Sequence, residues 1–349
     1  MKPFLIVLIS IVTWCFTLPL SAQDTSTAKG KLSGEMYFDY FYNIQQRDTS
    51  KKDLNGFQFR RIYFTYDYAI ATNFDTRFRI EADQGALTSN GKIGEFVKEA
   101  FLKWKNIFEG SDLITGLSPT PTWYVSEDAW GYRSLEKTIM DLRGIASRTD
   151  LGIDLKGKVS QDGTLNYFLK IGDNSGQTPE SDKFKRYYGM VHFKPNTNVQ
   201  GTVYADLDAE ANRFDPFDGL TKDNNRITLA GFVNAYSGTE FSVGLEGFYR
   251  ILQNNFQPSL TQADQNQNVY GVSAFGWVSL QDDIRLVGRF DVYDPNTDVD
   301  KDGIYYILGA LDYMPVKEVH VMPNVYVQSY QADVASDVVA RLTFYHTFK

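Results

Sequence analysis

From Leu32 to the C-terminus, apolar and polar residues alternate with a period of two, and helical periodicity is nearly absent. Between Asn73 and Asp83, one set contains Phe74, Thr76, Phe78, Ile80 and Ala82, and the intervening set Asp75, Arg77, Arg79, Glu81 and Asp83. Successive side chains of a strand point to opposite faces, so this segment has one apolar and one ionic side. Similar splits occur at Ile227–Tyr236, Phe241–Arg250, Ile284–Tyr293 and Val338–Lys349. The pattern predicts strands near 32–42, 57–69, 74–83, 97–105, 112–118, 149–159, 164–172, 185–194, 198–207, 225–236, 240–252, 268–280, 283–293, 304–313, 320–330 and 338–348.

The links between these strands alternate in length. Ile70–Asn73, Gln161–Gly163, Pro195–Thr197, Ser237–Thr239 and Gln281-Asp282 are tight and polar. Asn43–Gly56, Gln84–Phe96, Pro119–Arg148, Asp173–Phe184, Asp208–Asn224 and Gln253–Gln267 are long. Such sorting over an even strand count predicts a transmembrane antiparallel up-and-down β-barrel of about 16 strands, with short turns periplasmic and long loops extracellular. A soluble sandwich would also alternate, but its Greek-key crossings give no reason to sort loops by length.

The first residues place the chain in a compartment. Lys2 is followed by the largely apolar run Phe4–Leu18, then Pro19 and Leu20-Ser21-Ala22, the pattern of a signal peptide over 1–22 cut before Gln23. The run is too short for a spanning helix, which needs ~20 residues. The only cysteine, Cys15, lies inside it, so the mature chain over 23–349 has no disulfides, thiolate metal sites or cysteine nucleophiles. Mean hydropathy is −0.33 and no later apolar stretch approaches a spanning helix, which excludes a helical inner-membrane protein but not a barrel. With 43 acidic against 35 basic residues the formal charge is −8, which argues against nucleic-acid partners. The 22 Tyr and 25 Phe suit aromatic belts at two membrane interfaces.

Several patches resemble the phosphate-selective porin O/P-like family. These are Gly56–Phe64 (GFQFRRIYF), Val97–Trp104 (VKEAFLKW), Leu113–Leu117 (LITGL), Arg148–Gly157 (RTDLGIDLKG), Arg289–Thr297 and Ala340–Tyr345. The resemblance covers most of the mature chain in pattern and is specific only in these patches. It implies a 16-stranded, trimeric outer-membrane porin whose long third loop folds inward. The family's phosphate selectivity rests on arginine and lysine clusters, which an acidic chain does not guarantee.

Pore chemistry needs charged side chains in a narrow, partly desolvated passage. Arg77, Arg79, Glu81, Glu99, Lys103, Glu246, Arg285, Arg289, Asp291 and Arg341 fall on inward faces, and as a set they imply a water-filled interior. The longest link, Pro119–Arg148, is the expected constriction: a loop this long in a compact domain is usually functional. It carries Trp123, Tyr124, Trp130 and Tyr132 with Glu127, Asp128, Arg133, Glu136, Lys137, Asp141 and Arg143, and Ser134–Leu142 fits a short helix. Arg133 and Lys137 are its expected lumen charges.

Asp298, Asp300 and Asp302 before Gly303 have the spacing of a calcium loop, but Gly309 stands where the bidentate Glu belongs, so an acidic turn is the competing reading. The three histidines are scattered and no catalytic motif is present. The reading is therefore a non-enzymatic porin embedded in outer-membrane lipid, passing small hydrophilic solutes or inorganic ions, with no cofactor beyond a possible structural calcium. The alternatives are an anion (phosphate)-selective or oligosaccharide-specific channel with loop aromatics as a stacking slide, a non-conducting structural or adhesive barrel, and a barrel hydrolase.

Overall fold

The computed structural model describes residues 30–349; the expected signal peptide lies outside them. Sixteen strands form one closed antiparallel barrel. They are β1 (Gly30–Gln45), β2 (Asn55–Ala71), β3 (Phe74–Leu87), β4 (Ile93–Phe108), β5 (Ser111–Pro119), β6 (Thr149–Lys158), β7 (Leu165–Gly172), β8 (Arg186–Phe193), β9 (Val199–Asp208), β12 (Arg226–Ser237), β13 (Phe241–Phe256), β14 (Gln265–Gln281), β15 (Ile284–Asp294), β16 (Ile304–Val316), β17 (Val319–Tyr330) and β18 (Asp337–Phe348). Strands β10 (Arg213–Phe214) and β11 (Thr221–Lys222) form a separate hairpin inside one long loop. Pairing of β1 with β18 closes the wall and leaves no free sheet edge.

Every barrel strand pairs with its neighbours in the chain, so the topology is up-and-down as the loop pattern predicts. Short turns such as Thr72-Asn73, Glu109-Gly110, Asp282-Asp283 and Lys317-Glu318 lie at one end and the long loops at the other. Several strands run beyond their predicted ends on the long-loop side, notably β3 to Leu87 and β13 to Phe256.

The outer face is apolar. Leu151, Ile153, Leu169, Ile171, Val203, Leu229, Val243, Leu245, Ile307 and Leu311 are all substantially exposed there, which would be costly in water and fits a lipid belt. Aromatics gather towards both ends. Tyr66, Phe193 and Tyr313 stand near the short turns, and Tyr40, Phe57, Tyr187 and Tyr249 near the long loops. That is the arrangement expected of interfacial girdles.

Two bulges change the inward face. Between Tyr37 and Phe38 the β1–β2 register slips, so Arg60 is an extra residue opposite β1. Between Arg79 and Ile80 the β3–β4 register slips at Lys98. An extra residue breaks strict alternation, and Arg60-Arg61 and Lys98-Glu99 consequently enter the lumen as adjacent pairs.

Candidate pore constriction and vestibule

The link between β5 and β6 folds into the barrel. It contains α1 (Tyr124–Trp130) and α2 (Ile139–Leu142). Helix α1 was not expected, and the predicted helix over Ser134–Leu142 shrinks to its last turn. Gly131, at φ +67°, ends α1 by donating its N–H to the Glu127 carbonyl, a left-handed cap that glycine adopts without steric cost.

The loop is held in place by packing. Trp123, Trp130, Tyr132, Leu135, Ile139 and Met140 are buried against inward-facing Phe168, Tyr188, Tyr204, Phe232, Phe248, Phe275 and Tyr306. Trp130 crosses Phe275 edge-on at 5.4 Å, and its indole N–H donates to the Glu136 carbonyl at 2.8 Å. The loop thus seats on an apolar patch inside β7–β17 flanked by buried charges such as Lys170, Arg186, Asp206 and Arg250, so the water-filled interior expected from the sequence does not extend over this patch. This packing also corrects the stacking slide: Trp123, Trp130 and Tyr132 are core residues, and only Tyr124 of the four loop aromatics is exposed.

Polar contacts complete the anchoring. Arg289 is chelated by Asp291 at 2.8 and 2.6 Å and also donates to the Lys137 carbonyl; both side chains are closed off, so they tether the loop rather than line water. Glu246 accepts from Ser126 at 2.7 Å and is likewise buried. The Tyr132 hydroxyl donates to Asp312 at 2.9 Å. Arg60 donates to the Ser134 and Leu135 carbonyls at 3.1 and 2.9 Å, and Arg341 reaches the Leu135 carbonyl at 3.4 Å. Glu136 lies 4.0 Å from both Arg60 and Arg341.

The loop's own charges form a brace. Arg133 bridges Glu127 and Asp141, Arg148 takes the other oxygen of Glu127, and Lys137 lies 3.7 Å from Asp141. Burial acts to raise the Glu127 carboxyl, but Arg148 and Arg133 outweigh it and hold it below its ordinary value. Burial is overcome at Asp141 by Arg133 and Lys137 in the same way. A carboxylate lowered by folding contributes stability above its unfolded pKa and loses it as pH falls through the folded value. The brace therefore holds from neutrality down to about pH 4.3, the ordinary value for Glu, and fails only below it. Open-channel current noise is expected to stay flat from about pH 7 to 5 and to rise below about pH 4. A rise between those upper values would assign the loop's mobility to another group.

Opposite the brace, β1–β4 carry the densest charge in the barrel. Arg61 meets Glu81 at 2.7 Å, Lys98 meets Glu81 at 2.9 Å, Arg79 meets Glu99 at 3.0 Å and Arg77 meets Glu99 at 3.4 Å. Arg133 lies close enough to act electrostatically on Tyr37, Arg61 and Tyr63. Arg60, Arg61, Arg79, Arg133 and Arg148 keep 13–19% of their side-chain surface accessible, whereas Asp39, Glu81 and Glu99 keep 0–1%. The cations are thus the more accessible members of these pairs, with the carboxylates behind them. Arg60, Arg61, Lys98 and Arg148 were not singled out in the sequence. The bulges that bring in Arg60 and Lys98 leave only a doubled charge, RR and KE, inside an alternating strand.

A cavity of about 830 Å³ lies among the short-turn ends of the strands and reaches α1. A second, about 430 Å³, shares Tyr124, Lys156 and Phe168 with it and is also lined by Arg77 and Lys103. Arg285 stacks on Trp277, a wall residue of the first, at 3.9 Å. In the loop between β15 and β16, Asn296 accepts the Asp298 N–H at 3.2 Å, and Lys301 is left-handed at φ +64°. Among the described residues no three His, Cys, Asp or Glu side chains are grouped to hold a metal ion, those of Asp298, Asp300 and Asp302 included.

No protein-family model and no curated protein matches the chain. Solved structures do. The fold is similar to the outer membrane channel DcaP of Acinetobacter baumannii, with TM-score 0.69 and 12% identity over 94% of this chain and 99% of that one. It is similar to an anion-selective porin from Comamonas acidovorans, with TM-score 0.63 and 12% identity over 92% and 100%. OmpT, an outer membrane protein of Vibrio cholerae, in its trimer form, gives TM-score 0.59 and 12% identity over 93% and 100%. At such identity the likeness establishes the fold, a 16-stranded porin-type barrel.

Proposed function

We propose that the chain is an outer-membrane porin for passive diffusion of small hydrophilic solutes, with anions preferred over cations at its constriction. The observation that carries the reading is the inward loop, anchored on inward side chains around a closed barrel and set beside the accessible arginines of β2 and β3. Fixed charges of one sign in a partly desolvated passage attract counter-charged solutes. The net charge of −8 does not contradict this, because much acidic charge sits in outer loops, with Asp298, Asp300 and Asp302 in one loop alone. The porin-type neighbours and the trimer form of one of them support a homotrimer as part of the proposal. Phosphate as a dedicated solute is a narrower reading, favoured only by the arginine-rich gap.

Liposome swelling tests passive diffusion. Proteoliposomes in isotonic uncharged sugars should swell at rates that fall steeply from pentoses to disaccharides. Equal rates with and without protein would leave a structural or adhesive barrel in its place.

A further inference from the structure

The short-turn vestibule holds charges of both signs that make no ion pair within the protein. Among the described residues, Lys156, Lys158, Lys194 and Asp128 line the 830 Å³ cavity and make no ion pair or side-chain hydrogen bond. Elsewhere in the lumen, acidic and basic groups pair closely, as in Lys170 with Asp154 at 2.8 Å. Asp128, Lys158 and Lys194 are exposed, whereas Lys156 is half-buried beside two aromatic rings, where an ammonium without an anionic partner is unfavourable unless a ligand answers it.

The geometry of these groups is specific. Asp128 and Tyr124 are the exposed residues of α1 and stand one turn apart, so they share the face turned to the cavity. The Lys156 ammonium lies 5.7 Å from the Tyr124 ring centre and 5.3 Å from that of Phe168. A contour from Asp128 over Tyr124 to Lys156 therefore runs to about 11 Å, taking about 5–6 Å for one helical turn. Asn166 and Gln200 add amide groups to the wall, and Trp277 adds an apolar surface.

We propose that this vestibule binds short zwitterionic peptides of two to three residues. The free ammonium pairs with Asp128, the terminal carboxylate with Lys156 and its neighbouring lysines, and an apolar side chain lies against Tyr124 and Phe168. Two to three extended residues at about 3.5 Å each match the span between the charges. A single amino acid is too short to reach both ends. Lys156, Tyr124 and Phe168 border both short-turn cavities, so the site is open to a solute entering either one. The inference rests on the pore reading only for the route by which the peptide arrives.

The test is calorimetric titration of the refolded full chain in detergent with Gly-Phe-Gly, its N-acetyl form and its C-terminal amide. The free tripeptide is expected to bind at least tenfold more tightly than either blocked form. Asp128→Asn should make free and acetylated peptides bind alike, and Lys156→Met should shrink the penalty of amidation at least threefold, each variant keeping its β-type circular dichroism. Equal binding of all three forms, or an undiminished preference for the free amine in Asp128→Asn, would overturn the proposal. Binding without conductance would sink the pore reading and leave the peptide site standing, whereas conductance without end-group discrimination would do the reverse.

Discussion

Replacing Arg61 and Arg79 together by glutamine is expected to turn the channel from anion-preferring to cation-preferring. Each arginine fronts a buried carboxylate, Glu81 at 2.7 Å and Glu99 at 3.0 Å, whose other cations are Lys98 and Arg77. Removing both shifts the gap by two negative charges and leaves each carboxylate with one partner fewer. A unit charge about 10 Å from a permeating ion contributes roughly 1.7 kcal/mol at an effective dielectric constant of 20. Salt screens part of that. Two such changes are expected to lower the anion-to-cation permeability ratio at least fivefold and carry it through unity. The Arg61→Lys/Arg79→Lys variant keeps the charge and should keep the sign, which separates electrostatics from misfolding. An unchanged ratio in the glutamine variant would place the selective charges elsewhere.

Trp130→Ala is expected to release the inward loop while leaving the barrel closed. Trp130 is fully buried, packs edge-on to Tyr132 and Phe275, and holds the Glu136 carbonyl through its indole N–H. Truncating a buried tryptophan typically costs about 3–5 kcal/mol. Here that cost falls on the loop, because the wall's ladder hydrogen bonds are untouched. The channel should show larger, noisier steps, and hydrogen exchange over 120–148 should accelerate by at least two orders of magnitude. Protection over β1–β4 should not change. Unchanged steps and unchanged loop protection would mean that the Arg289, Glu246 and Arg60 tethers alone hold the loop.

The barrel was legible because its wall repeats one rule sixteen times: apolar outward, with the inward side set by strand alternation. Loop lengths supplied the topology, since only an up-and-down barrel sorts long and short links to opposite ends. The fill of the lumen was less legible. Inward Phe168, Tyr204, Phe232, Phe248 and Phe275 occupy positions that alternation marks as wet, and they are the seat for the loop's tryptophans. Read as interruptions of the polar face, they are the signal that an apolar seat would lie inside the barrel. Arg289 and Asp291 look like pore charges in a strand, because nothing local reveals that the loop closes over them. Arg60 and Lys98 were hidden by the bulges. A register slip is set by pairing with the next strand, whereas the sequence shows only one strand at a time.

The central claim is an open, anion-preferring passage between the braced loop and the arginines of β2 and β3. Single-channel recording of the refolded protein in a planar bilayer under a potassium chloride gradient tests it most directly. Discrete conductance steps with a reversal potential of the sign set by chloride are the expected result. A correctly inserted barrel that gives no steps, or steps whose reversal potential follows potassium, would contradict it.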